Sequence, residues 1–405
     1  MLEALLERFR ATWGRDAELV ARGPGRVNLI GEHTDYEEGL VLPCAIDRAT
    51  LVAAARRDDR RVRVASEGYG EPAELDAAQP SRRGAWVDYV QGPLVALRER
   101  GVEPPGLDLA IASDVPHEAG LSSSAALEVA VALAASAAAG TPLAARELAR
   151  VAHRAETSFV GVQCGIMDQF ASAFGRAGAA LRIDCRTQEV EPVAIAGRAA
   201  LLVIHSGVRR RLAAGGYGAR VRECREAVAQ ARAAGIAPAA RALRDLAPAD
   251  LPALERALDP VPFRRARHVI TENARVDAVA AALRAGDLAR AGALLRAGMA
   301  SLRDDFEVSI PELDALCAAG DAQPGCHGSR LTGAGFGGCT IHLVDPAAAD
   351  AVRDAVAADF ASRFGRRPAS WVVAPSAGAA VVWRAADGTA TGAGAASGGG
   401  AERVE

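Results

Sequence analysis

The chain has 405 residues, half of them hydrophobic, which suits two or three domains with sizeable cores and makes two packed lobes the default. A net charge of −3, with basic residues balanced by acidic ones, argues against a nucleic-acid footprint. Seven cysteines, an odd number with no C-x-x-C pair, argue against a disulfide framework or zinc site and read as reduced cytosolic thiols.

All 47 basic residues are Arg; the sequence contains no Lys. A Walker A loop needs its Lys, and the usual protein-kinase layout needs a Lys on a strand. A nucleotide bound here would be held by backbone amides, hydroxyls and metal instead. The start of the chain, residues 1–13, is amphipathic with Glu3 and Glu7 and does not read as a signal peptide. The longest apolar run, 125–139, is broken by Glu128 and ends at Gly140 and Pro142, so no membrane span is expected.

In chain order, residues 1–20 read as a surface helix, 27–30 as a short strand, 31–39 as a polar loop and 40–46 as strand. The loop carries Glu32, His33, Asp35 and Tyr36. Asp35 fits an Asx turn at a hairpin end. With Arg26 just before it, the loop is also a dense hydrogen-bonding set suited to a polar ligand. Glu32, His33 and Asp35 could bind a metal ion, but no second His-containing cluster completes such a site. Strands are expected at 52–55 and 62–65, a loop at 66–84 and a helix at 86–98.

Leu107, Leu109 and Ile111 alternate with Asp108 and Ala110 as a half-buried strand, and 125–138 is a buried Ala-rich helix. Between them lies Asp114-Val-Pro-His-Glu-Ala-Gly-Leu-Ser-Ser-Ser-Ala-Ala-Leu-Glu128. A helix mouth has unpaired N–H groups and the positive end of the dipole, so it holds an anion well. One cap needs one Ser; Ser122, Ser123 and Ser124 together favour phosphate binding. Residues 140–160 form a further helix bearing Glu156. Next, Ile166, Phe170 and Phe174 mark one buried helix face, with Asp168 early in that helix. Asp168 serves the helix dipole or acts as a catalytic base.

Strands follow at 181–183 and 201–204, and Tyr217 lies in a glycine-rich segment with little to bury it, as a surface aromatic or a ligand contact on a mobile loop. Helices fill 219–233, 264–284 and 287–303, with loop or short helix between 234 and 262 and another helix from Pro311. Gly328-Ser-Arg-Leu-Thr-Gly-Ala-Gly-Phe-Gly-Gly-Cys339 is a second glycine-rich element, whose backbone can approach a ligand closely. It leads into a strand marked by Cys339, Ile341 and Leu343; a helix at 350–364 and strands at 371–373 and 379–383 follow. The tail from 385 to 405 cannot form a core and is expected to be disordered.

Gly25-Arg-Val-Asn-Leu-Ile-Gly-Glu-His-Thr-Asp-Tyr36 resembles the galactokinase signature of the GHMP kinase superfamily nearly word for word. Gly120-Leu-Ser-Ser-Ser-Ala-Ala126 resembles the superfamily's phosphate loop, and Leu331-Thr-Gly-Ala-Gly-Phe-Gly-Gly338 its third motif. Cys164-Gly-Ile-Met-Asp-Gln-Phe170 and Arg303-Asp-Asp-Phe-Glu-Val308 are also similar to galactokinase segments. The resemblance implies an α+β fold of two lobes, mixed sheets with helices, and an active site in the cleft between them. The N-terminal lobe would span 1–200 and the C-terminal lobe 201–384. It implies ATP-dependent phosphorylation of the anomeric hydroxyl of α-D-galactose.

By that comparison Arg26 and Asp168 face the anomeric oxygen, and Glu32, His33, Asp35, Gly165 and Tyr217 line the sugar. Ala119, Gly120, Leu121, Ser122, Ser123, Ser124 and Ala125 wrap the phosphates, while Ser124 and Glu156 hold Mg²⁺. A cytoplasmic enzyme is expected, with no nucleic-acid, membrane or obligate protein partner. A related sugar kinase acting on N-acetylgalactosamine, or a silent galactose-and-ATP sensor, are the competing readings. Two departures from the pattern stand out: His117-Glu118 in the phosphate loop, and Gly298-Met299 where Ser-His is common.

Overall fold

The first sheet is built on central strands whose two faces are both covered. In the computed structural model, residues 1–76, 79–116, 119–195, 197–208 and 216–385 are described. After helix α1 (Leu2–Trp13) come β1 (Leu19–Asn28), β2 (Leu40–Val41), β3 (Pro43–Arg57), β4 (Arg61–Ser66) and β5 (Ala73–Asp76). Helix α2 (Asp88–Glu99), β6 (Gly106–Ser113) and α3 (Ser123–Ala138) follow. The six-stranded sheet runs β5-β4-β6-β3-β1 and ends with β13 (Ala380–Arg384), returned from the far end of the chain.

Strand alternation explains the layering. On β3, Leu51, Ala53 and Ala55 pack beneath Leu5 and Phe9 of α1, while Val52 and Ala54 join the core on the opposite face with Val129 of α3. On β6, Leu107, Leu109 and Ile111 face that second core, but Ala110 and Ala112 are also buried, under α1. The expected half-buried strand is thus covered on both sides. Asp108, 1% exposed, is neutralised by Arg57 and Arg63 at 2.9 and 2.7 Å.

Helix α4 (Ala145–Arg154) passes into a π-helical turn, Ala155–Val160, and α5 (Met167–Phe174) follows. Strands β7 (Ala179–Asp184) and β8 (Val190–Ala194) form a three-stranded sheet with β2. Helices α6 (Gly218–Ala233), α7 (Leu251–Ala257), α8 (Pro260–Ala285), α9 (Leu288–Asp304), α10 (Pro311–Asp321) and α11 (Ala349–Phe364) pack around and beside a third sheet. That sheet is antiparallel, in the order β10 (Cys326–Thr332), β11 (Cys339–Val344), β9 (Ala200–His205), β12 (Ala369–Val373). One core runs between the sheets: Val27, Leu29 and Leu42 meet Val203, Val276 and Ile341.

The structure differs from the sequence expectation in several places. The first helix stops at Gly14, in the left-handed region at φ 69°, and β1 begins far earlier than residue 27. The stretch 66–84 contains β5, and β8 and β10 have no clear period in the sequence. On β10, Ser329, Arg330 and Thr332 are all fully buried polar residues, which hides the strand from a hydrophobic pattern. His117-Glu118, the segment 209–215 and the tail 386–405 lie outside the described residues.

β1 presses against α3 through Gly23, where an added Cβ would sit 2.2 Å from the Ala126 carbonyl oxygen. Gly23→Ala should therefore destabilise the fold by about 1–3 kcal/mol, the usual cost of overpacking a rigid contact. The urea midpoint measures it; an unchanged midpoint would mean that α3 can give way freely.

Candidate functional site

Three segments distant in sequence meet at the mouth of α3. The Arg26 backbone N–H donates to the Leu121 carbonyl at 3.0 Å, fixing the end of β1 beside the serine loop. Its guanidinium, 4% exposed, donates through Nε and Nη2 to Asp168 Oδ1 and Oδ2 at 2.8 and 2.9 Å. Nη1 donates to the Gly120 carbonyl at 2.6 Å. Such a planar bidentate fork fixes both partners in orientation.

Ser122 has φ 58° and does not cap α3; its hydroxyl donates to Asp168 Oδ2. The first-turn N–H groups, beginning at Ser123, have no side-chain cap, which suits an anion. Ala119, Gly120, Leu121, Ser122, Ser123, Ser124 and Ala125 are all described, and together they form this mouth.

Glu156 lies on the π-helical turn, a geometry common at functional sites. Its Oε2 accepts from Gln169 Nε2 at 2.6 Å and from Cys164 Sγ at 3.6 Å, and the Ser124 hydroxyl bonds the same carboxylate. Burial first, and then the charge of Asp168, push Glu156 up to about 7. Fully buried Glu128 of α3 is pushed well above the carboxylate range by burial and next by Glu156. Burial, then Glu156, raise the Cys164 thiol far above its usual range, so it stands as an S–H donor. Among the described residues no group of three or more His, Cys, Asp or Glu could hold a metal ion. A single carboxylate with a neighbouring hydroxyl still fits Mg²⁺, which keeps phosphate and water ligands, and a cation there would relieve the repulsion on Glu156.

The loop after β1 is closed by the Thr34 hydroxyl, which bonds the Gly31 and Leu40 carbonyls at 2.8 and 2.6 Å. Its polar residues then diverge, so the metal site weighed for Glu32, His33 and Asp35 does not form. Asp35 abuts Gly165 so closely that an added Cβ would be 2.1 Å from its Oδ2. Burial, then the Asp168 charge, lift Asp35 to about 6. His33, at φ 64°, contacts the Tyr36 hydroxyl at 3.0 Å and the Ala334 carbonyl at 3.2 Å. Tyr217, expected on a loose loop, instead opens α6, with its ring 5.6 Å from His33 and 5.3 Å from Tyr36. Glu32, 1% exposed, pairs with Arg330 and accepts from the Gly333 N–H at 3.2 Å. Burial raises Glu32 to about 7 despite Arg330. Arg330 also reaches Glu272 at 2.9 Å, and Arg330 and Arg275 overcome burial to hold Glu272 well below the usual range.

The sequence reading missed a cavity of about 430 Å³ beside the serine loop, lined by Tyr69, Trp86, Tyr89, Ser123, Ser124 and Leu127 among others. The Tyr69 and Trp86 rings are 4.9 Å apart. Their signal was three aromatics within 69–89 of a chain only 4% aromatic. Cys164 and Gln169 carry no signal of their own in the sequence beyond their place in the motif.

The aromatic cavity, an uncapped helix mouth and a guanidinium–carboxylate pair stand side by side, and the family models set the class, a GHMP kinase. Family models for the GHMP kinase N-terminal and C-terminal domains match residues 88–176 and 279–362, and the galactokinase galactose-binding signature matches 7–56. A galactokinase of Roseiflexus sp. is 47% identical over 377 residues, 92% of this chain and 95% of the relative. One of Chloroflexus aurantiacus is 46% identical, over 94% of this chain and 98% of its own. The crystal structure of Lactococcus lactis galactokinase complexed with galactose superposes with TM-score 0.89 at 34% identity, covering 94% of this chain and 99% of that one. A mevalonate kinase shares the fold at TM-score 0.63 and 18% identity. The chain belongs to the galactokinase family.

Gly165→Ala tests how finely the two halves of the site are set against each other. The added methyl must displace the Asp35 carboxylate, and a misplacement of ~1 Å costs on the order of 10²-fold in rate. We expect kcat/KM to fall by that order while the melting temperature changes little; an unaltered kcat/KM would show that the loop yields at no cost.

Proposed function

We propose that the chain transfers the γ-phosphoryl group of ATP to the anomeric hydroxyl of α-D-galactose, releasing galactose 1-phosphate and ADP. The observation that carries this reading is the Arg26–Asp168 fork, tied by Ser122 and Gly120 to an uncapped helix mouth. Phosphoryl transfer depends on positioning and charge stabilisation more than on covalent help. Asp168, 28% exposed, accepts the proton of the attacking hydroxyl. Arg26 orients that carboxylate and stabilises charge on the anomeric oxygen.

Residues 119–125 receive the phosphates through backbone N–H groups and serine hydroxyls, which is how a lysine-free chain manages it. Ser124 and Glu156 would hold Mg²⁺, which when bound neutralises phosphate charge. The cavity beside Tyr69, Trp86 and Tyr89 takes the adenine base. Asp35, Gly165, His33, Glu32 and Tyr217 surround the sugar. The division into two lobes falls near residue 200, with β13 returned to the first. Seven free cysteines support a cytoplasmic setting.

Asp168→Asn keeps size and removes the base. Galactose binding, measured by calorimetry, should survive while kcat falls by at least ~10²-fold; near-normal turnover would refute the role.

Asp35 provides a second test. With its carboxyl raised to about 6, the group is protonated below that pH and loses its charge as an acceptor. kcat/KM for galactose should therefore fall as pH drops through 6, and Asp35→Asn should flatten that limb. A site built to bond one hydroxyl can discriminate by up to ~10⁴–10⁵ against analogues lacking it. Asp35→Ala should compress the galactose-to-glucose ratio of kcat/KM rather than slow both sugars equally. An unchanged ratio would remove Asp35 from recognition of the 4-hydroxyl, and a panel including N-acetylgalactosamine fixes the preferred sugar.

A further inference from the structure

Glu156 is held by Gln169 and Cys164, by the Ser124 hydroxyl and by the neighbouring Glu128 carboxyl. A carboxylate offers two oxygens with about four lone-pair sites between them. Here Oε2 alone receives two donors, Gln169 Nε2 at 2.6 Å and Cys164 Sγ at 3.6 Å. The backbone beneath is also fixed: the Glu156 carbonyl accepts from the Gly161 and Val162 N–H groups at 2.9 and 3.0 Å. Gln169 is fully buried, so its amide has no water to compete for it, and it also bonds the Glu128 carboxyl. Both donors come from the short segment that bears Asp168, one four residues before it and one immediately after. The Ser124 hydroxyl, at the phosphate loop, bonds the same carboxylate.

We propose that Gln169, assisted by Cys164, is the positioning residue that turns one Glu156 oxygen toward the divalent cation and couples cation binding to the Asp168 turn. The proposal rests on the reading of Glu156 as a cation ligand. Neither side chain touches the cation; each acts through Glu156. Gln169 makes the shorter bond and does most of the orienting, and Cys164, a weak S–H donor, adds to it. Hydrogen-bond partners of metal-bound carboxylates commonly govern affinity by ~10–100-fold.

The test is direct binding of Mn²⁺ to the protein with ADP and galactose, followed by electron paramagnetic resonance, with galactose affinity measured in parallel by calorimetry. Gln169→Met keeps the length and removes the donor. It should weaken Mn²⁺ by at least ~10-fold with galactose affinity unchanged. Cys164→Ala should weaken it less, and Cys164→Ser, which restores a donor, should return it toward the parent value. Glu156→Gln is run alongside. If Glu156→Gln weakens Mn²⁺ and Gln169→Met does not, Gln169 is not the positioning residue. If Glu156→Gln leaves Mn²⁺ affinity intact, the ligand reading itself fails and the proposal with it. Equal losses of Mn²⁺ and galactose in Gln169→Met would mark a merely structural role and overturn the proposal. Should that variant fail to fold, the contrast between Cys164→Ala and Cys164→Ser decides, and identical Mn²⁺ affinities in those two would refute the clamp.

Discussion

The fork between Arg26 and Asp168 is the contact on which the rest of the site depends. It ties the end of β1 to the first turn of α5, and through Gly120 and Ser122 it ties both to the serine loop. Arg26 is almost fully buried while Asp168 is not, so the cation is the fixed partner and the carboxylate is the one presented outward. Removing one member of a buried ion pair leaves an uncompensated charge, typically costing about 3–5 kcal/mol. In the proposed reading the pair supports local structure as well as chemistry, and Asn at 168 keeps one carbonyl acceptor for the Arg26 fork, which Ala does not.

Charge is distributed very unevenly around this contact. Asp35, Asp168, Glu156 and Glu128 crowd one region, and the upward shifts of Asp35, Glu156 and Glu128 follow from burial aggravated by like-charged neighbours. The Glu32–Arg330–Glu272–Arg275 group sets two carboxylates against two guanidiniums, and burial still lifts Glu32 to about 7. In the proposed reading the first cluster is completed by a cation and an anionic co-substrate, while the second holds a loop still.

The same contrast explains what could be read from the sequence. An almost unbroken apolar, Ala-rich run marks α3, which is buried nearly all round, and the spacing of Ile166, Phe170 and Phe174 marks α5. The serine triplet announced the helix mouth, and the signature around Arg26 and Asp35 carried the family. Contacts made by residues far apart in sequence were not legible. Nothing in the order of residues says that Ser122 bonds Asp168 rather than capping α3, or that Arg330 on β10 pairs with Glu32. Strand β10 itself is hidden because, Leu331 apart, its fully buried side chains are polar, so the usual alternation never appears. Tyr217 looked unanchored because its neighbours His33 and Tyr36 precede it by about 180 residues.

The unexpected partners share one consequence. The loop bearing Glu32 and His33 leaves β1, yet most of what fixes it comes from the second half of the chain. Arg330 pairs with Glu32, the Gly333 N–H bonds its carboxylate, and His268 bonds its carbonyl at 3.1 Å. The Ala334 carbonyl meets His33, whose ring also lies 4.7 Å from Phe306. The Arg26–Asp168 fork, by contrast, lies wholly within the first 170 residues. In the proposed reading, the acceptor sugar is thus gripped by groups from both halves, while the proton-accepting pair belongs to one. A disturbance in α8 or β10 can then alter which sugar binds without touching the reacting atoms. Gly298 lies at that junction: a Cβ there would stand 3.1 Å from Arg330 Nη1 and 3.3 Å from Glu272 Oε2. Its lack of a side chain, unassigned in the sequence, leaves the guanidinium room to bridge the two glutamates, and so bears on the sugar loop through Arg330 rather than on the phosphoryl transfer.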